Sequence, residues 1–140
     1  MKRIAFLFLI VTAATFTVSF AHAGTDYRCT IERVYDADGD KSSLIDGERK
    51  LYVGKEFTVD RSSGAMIGAL KNSYVTEPVV VDRGSKDNSF KSVTTMRRDQ
   101  GAGAGSSVFS LVVKEYADTS KKPFVFLSND TVYFGNCVHF

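Results

Sequence analysis

Phe124-Val125-Phe126-Leu127-Ser128-Asn129-Asp130-Thr131-Val132-Tyr133-Phe134 is the stretch that decides the fold class. Two short runs of β-branched and aromatic residues flank Ser128-Asn129-Asp130, whose side chains can hydrogen-bond the backbone of a turn. The segment therefore predicts an antiparallel hairpin. Working outward, Arg61-Ser62-Ser63-Gly64 separates Phe57-Thr58-Val59 from Met66-Ile67 in the same manner and predicts a second hairpin. Similar runs place strands over 27–34, 55–60, 65–70, 79–82, 90–95, 108–116, 123–127 and 131–137. No stretch after residue 24 carries a long helical stripe, and one short helix is expected near 42–46. The expected fold is all-β, an antiparallel sandwich or small barrel of about eight strands.

The N-terminal residues are read apart from this fold. Lys2 and Arg3 precede an apolar run over 4–20, and Ala21-His22-Ala23 places alanines at the cleavage positions, so 1–23 is expected to be a signal peptide that is removed. The remaining residues, 24–140, are expected to form a single β domain, exported to the periplasm or beyond, with no membrane span after signal removal. Lys2 and Arg3 would leave with the signal, bringing the eighteen basic residues level with the sixteen acidic ones. A balanced charge gives no footing for a nucleic-acid partner.

Cys29 and Cys137 are the two cysteines of the chain and lie near opposite ends of the expected domain. An oxidising compartment predicts that they join, tying the first strand to the last. Metal and redox pairs instead bring cysteines close in sequence. Histidine is equally scarce: His22 would leave with the signal and His139 sits beside the chain end, which disfavours a histidine-based triad. Asp36-Ala37-Asp38-Gly39-Asp40 begins like a calcium loop, but Lys41 stands where the turn glycine belongs and Gly47 occupies the twelfth position. No metal or cofactor is expected. Carboxylates such as Asp60 and Glu115 leave one enzymatic alternative, a small hydrolase acting on envelope polysaccharide, which needs two of them at a suitable separation.

Gly101-Ala102-Gly103-Ala104-Gly105-Ser106-Ser107, preceded by Arg97-Arg98-Asp99-Gln100, reads as a hairpin loop and lacks the lysine that would make a phosphate loop of it. Arg97 and Arg98 offer directional anchors for a partner, and Ser106 leaves room for close approach. A non-enzymatic binding module for a protein or cell-envelope component is the expected function.

Two resemblances add to this reading. Gly54-Lys55-Glu56-Phe57-Thr58-Val59-Asp60-Arg61, followed by Gly64 and Gly68, and then Lys122-Pro123-Phe124-Val125-Phe126-Leu127 with Gly135-Asn136-Cys137, resemble a family of uncharacterised bacterial secreted proteins. That likeness implies a periplasmic or secreted setting and no particular activity. Tyr27-Arg28-Cys29 and Asn136-Cys137 are similar to the cysteine contexts of the periplasmic inhibitors of C-type lysozyme, small β-barrels with a disulfide between their ends. Ser63-Gly64-Ala65 resembles their Ser-Gly inhibitory loop and implies a contact role for Ser63, although Ile67 stands where that family carries a tyrosine. A tight hairpin needing glycine explains Gly64 more simply.

Overall fold

The structure, a computed structural model, describes residues 25–37, 43–100 and 105–140; the expected signal peptide over 1–23 lies outside them. Eight strands form one antiparallel sheet: β1 (Tyr27–Asp36), β2 (Glu56–Val59), β3 (Met66–Gly68), β4 (Val79–Arg83), β5 (Phe90–Met96), β6 (Ser107–Val113), β7 (Lys122–Ser128) and β8 (Thr131–His139). Their spatial order is β3-β2-β1-β8-β7-β6-β5-β4. The two terminal strands therefore pair at the middle of the sheet, and the all-β expectation resolves into a single curled sheet, a half-barrel, rather than a sandwich of two.

Alternation along the strands explains the curl. Tyr27, Cys29 and Ile31 of β1, Phe57 and Val59 of β2, Leu111 and Val113 of β6, and Phe124 and Phe126 of β7 are all buried on one face. Burial of that face drives the sheet to roll around it. Ring contacts measure the result: Phe57 meets Phe124 edge-on at 5.2 Å and Tyr27 meets Phe90 at 5.5 Å, although neither pair belongs to neighbouring strands.

Side chains rather than ladder bonds seal the open side between β3 and β4. Arg61, on the β2–β3 turn, donates from Nε to the Arg83 carbonyl at 2.7 Å and from Nη2 to the Gly84 carbonyl at 2.8 Å. Buried Asn72 accepts from the Met66 amide and donates to the Gly64 carbonyl, both at 3.0 Å. Gly64 itself adopts φ 78°, and a Cβ there would lie 2.9 Å from Ser92 Cβ. Both facts require glycine.

The seam between β1 and β8 carries the disulfide. Cys29 and Cys137 face each other directly in register and are bonded, both fully buried. The register shifts at Glu32, and next to this irregularity Ile31 opposes Gly135. A Cβ on Gly135 would stand 2.0 Å from the Thr30 carbonyl oxygen and 2.8 Å from the Phe124 ring.

Three expectations need revision. The helix, α1, spans Ser43–Tyr52 and is longer than the short one expected near 42–46. Its sequence contains Gly47, but packing supplies what propensity lacks: Ile45 is buried, Tyr52 meets Tyr133 edge-on at 5.4 Å, and Glu48 accepts a 3.1 Å bond from the Tyr133 hydroxyl. The strand expected over 108–116 ends at Val113, because the Glu115 amide turns back onto the Val113 carbonyl. The strand expected over 65–70 shrinks to three residues at Gly68, whose φ of 127° closes it.

Gly135→Ala is expected to lower stability by about 3 kcal/mol, since the added methyl strikes backbone and ring together and the seam must part to admit it; urea denaturation of the oxidised protein measures this. Replacing Cys29 and Cys137 together by alanine should cost about 4 kcal/mol by releasing a long closed loop, read as a fall in the urea midpoint with the far-UV spectrum kept.

Candidate functional site

The β5–β6 hairpin runs from Met96 to Ser107 and carries the sequence-predicted contact residues. A turn opens it: the Gln100 amide donates to the Arg97 carbonyl at 2.9 Å, and Gln100 Oε1 accepts from the Arg97 amide at 3.2 Å. Arg97 also lays its guanidinium along Asp99, with Nε–Oδ1 and Nη2–Oδ2 at 3.1 and 3.3 Å. Both partners are exposed, so this ion pair is weak and exchangeable. Arg98 and Ser106 are likewise exposed, while residues 101–104 lie outside the described residues.

Two hollows flank this hairpin. The first, about 350 Å³, opens at the mouth of the half-barrel and is lined by Tyr74, Val75, Met96, Ser107, Phe109 and Asn129, among others. Its floor continues inward as a chain of rings, with Tyr74–Phe109 at 5.9 Å, Phe109–Phe126 at 6.2 Å and Phe126–Tyr133 at 5.9 Å. The second, about 590 Å³, lies on the outer face of β4 and β5, where Val79, Val81 and Val93 form its apolar wall and Glu77 and Arg97 its charged rim. Val79 and Val81 keep 65% and 63% of their surface exposed, and Tyr74 keeps 61%. Sequence reading missed these apolar residues. The signal was there in Val79-Val80-Val81: alternation turns only the middle valine inward, which leaves its neighbours to solvent.

Ser63 does not join this hairpin. It sits in the turn that seals the open side, where its amide donates to Asp60 Oδ1 at 3.0 Å and its hydroxyl accepts from the Ala65 amide at 3.3 Å. Asp60 Oδ1 also accepts from the Ser62 amide and hydroxyl, and the Ser62 hydroxyl bond, with the amides behind it, holds the Asp60 carboxyl below the usual carboxylate range. These contacts account for both residues as turn closers.

Glu115 lies elsewhere, in a network at the chain ends. Its Oε2 accepts from the Tyr27 hydroxyl at 2.8 Å, its Oε1 lies 2.9 Å from His139 Nε2, and Arg61 approaches to 4.0 Å. His139 is held more firmly than its terminal position suggests, because β8 extends through it and its ring packs 4.9 Å from the Tyr27 ring. Its Nδ1 lies 3.3 Å from the Thr25 carbonyl. Burial, then hydrogen bonding to Glu115, raises the Tyr27 phenol above its ordinary range; burial and the Glu48 carboxylate do the same for Tyr133.

Among the described residues, no group of three or more His, Cys, Asp or Glu side chains is placed to hold a metal ion. Asp38, Gly39 and Asp40 of the calcium-like segment lie outside the described residues. No helix among the described residues is long and apolar enough to cross a membrane. Comparison of the chain with protein-family models, curated proteins and solved structures finds no match.

The two raised phenols predict an alkaline transition. A tyrosine whose folded pKa exceeds its unfolded value lends stability that is complete below the unfolded value, about 10, and is lost as pH rises through the folded one. Phenolate absorbance should show late-titrating groups in the folded protein that vanish in denaturant, and Tyr27→Phe and Tyr133→Phe should each remove part of that late component.

Proposed function

We propose that the chain is a non-enzymatic exported binding module of the cell envelope that meets a protein partner through the β5–β6 hairpin and its two flanking hollows. The observation that carries this reading is the gathering of exposed apolar side chains, Tyr74, Val75, Val79, Val81 and Val108, around the arginines of one loop. Protein interfaces concentrate affinity in aromatic and arginine side chains set among apolar neighbours, and contiguous exposed apolar surface marks such contacts. Export is supported by the signal-like segment at 1–23 and by a disulfide, which persists in oxidising compartments.

The lysozyme-inhibitor version of this reading draws on the cysteine contexts alone, because the turn geometry accounts for Ser63 and Gly64. The hydrolase alternative draws little support: Asp60 caps its own turn, and Glu115 is engaged by Tyr27 and His139.

Capture from envelope extract tests the proposal when wild type is compared with two variants. Tyr74→Ser with Val79→Thr, and separately Arg97→Ala with Arg98→Ala, should each weaken retention of the same partner by about tenfold, the loss of roughly 1.4 kcal/mol expected of an interface contact, while leaving the melting temperature within a few degrees. Retention unchanged in both variants sinks the proposed contact. Turnover of a polysaccharide that requires Glu115 replaces the binding module with the hydrolase.

A further inference from the structure

A second recognition surface lies away from the β5–β6 hairpin, in the groove between α1 and the outer face of β1. The groove encloses about 460 Å³ and is lined by Glu32, Arg33, Val34, Tyr35, Arg49, Lys50 and Val53. Among the described lining residues three cations therefore meet one carboxylate, and Glu32 turns its Oε1 to Asn136 Nδ2 at 2.8 Å. Arg49 is committed as well: it donates from Nε to the Val34 carbonyl at 3.1 Å, pairs with Asp46 at 3.4 Å, and lies over the Tyr35 ring at 5.7 Å.

Arg33 differs from Arg49. Its guanidinium is oriented over the Phe134 ring, 5.2 Å from the centroid, and Phe134 is steadied in turn by Tyr35 at 5.8 Å. A ring contact satisfies no N–H group. No described protein acceptor takes a bond from the Arg33 donors, and Lys50 across the groove has no described carboxylate either. A guanidinium with unused donors lining the same groove as a second cation suits a tetrahedral or carboxylate anion held by paired hydrogen bonds. The wall beside it is apolar: Tyr35 and Val53 keep 38% and 43% of their surface exposed.

We propose that this groove binds a small amphiphilic anion, a phosphate or carboxylate borne on an aromatic or other apolar body, with Arg33 and Lys50 on the anionic group and Tyr35 and Val53 against the body. The surface is separate from the hairpin contact and stands without it. Phenyl phosphate, inorganic phosphate and phenol serve as probes, titrated into the full oxidised protein and followed by amide and Arg33 Nε–H shifts. Phenyl phosphate should bind saturably, at least fivefold more tightly than inorganic phosphate, with the largest shifts at Arg33, Tyr35 and Lys50, and phenol should not saturate. Arg33→Gln should weaken phenyl phosphate about tenfold, the loss of charge-assisted hydrogen bonds, and Lys50→Gln about threefold. Lys86→Gln, on the exposed turn after β4, should change nothing. An unchanged affinity in Arg33→Gln, with its spectrum still that of the folded protein, overturns the site; equal affinity for inorganic and phenyl phosphate overturns the apolar half of the assignment.

Discussion

Pairing of β1 with β8 is the constraint on which the remaining architecture depends. The two strands come from opposite ends of the described chain, yet they occupy the centre of the sheet, with β2 and β3 hung on one side and β7 to β4 on the other. Without that seam the sheet separates into a short meander and a longer one, neither able to enclose the core. The entropy of bringing such distant segments together is large, and the disulfide between Cys29 and Cys137 removes part of it from the unfolded chain. Gly135 shows how close the two backbones come, since no other side chain fits against the Thr30 carbonyl.

The seam also determines where ionisable chemistry is spent. It brings Tyr27 and His139 into register, and Glu115 and Arg61 converge on them from β6's far end and the β2–β3 turn. Each of these groups is used in closing the half-barrel. Arg61 illustrates the economy: one guanidinium ties two carbonyls after β4, leans over the Tyr27 ring at 5.6 Å and approaches Glu115. A catalytic carboxylate needs an open face toward substrate and a partner at a defined distance. Glu115 is instead mostly buried and fully engaged in this clamp.

Much of the fold was legible because burial on one face leaves a period of two in the sequence. The 124–134 stretch, the Arg61–Gly64 turn and the two cysteines each constrain a local geometry or a pairing, and the eight strands, the two hairpins and the disulfide follow from them. Beyond those pairings the strand order was not legible. Alternation tells which side chains point inward but not which strand lies beside which, so a sandwich and a barrel read alike until ring pairs such as Phe57–Phe124 place distant strands across one interior. The full α1 was hidden for another reason: its stability resides in the burial of Ile45 and in Glu48 and Tyr52 meeting Tyr133, more than eighty residues away in sequence. The candidate site was half legible. Arginines next to a glycine tract announced the hairpin, whereas Tyr74 and the outward valines of β4 acquire meaning only once their neighbours are known.

The distribution of committed and uncommitted groups gives the functional argument its direction. Asp60 and Glu115, the carboxylates the sequence offers for hydrolysis, each have internal partners that account for their positions, and so do Arg61, Tyr27 and His139. Arg33, Lys50 and Arg98 carry charge on the surface without a described acceptor, and exposed apolar side chains stand beside two of them, Tyr74, Val79 and Val81 at the β5–β6 hairpin and Tyr35 and Val53 in the groove along α1, although Leu44, Ile67 and Tyr116 are exposed elsewhere. The binding reading we propose rests on that distribution, because recognition needs unspent donors and apolar area on a fixed frame, and the disulfide-linked sheet carries both on its outer surface.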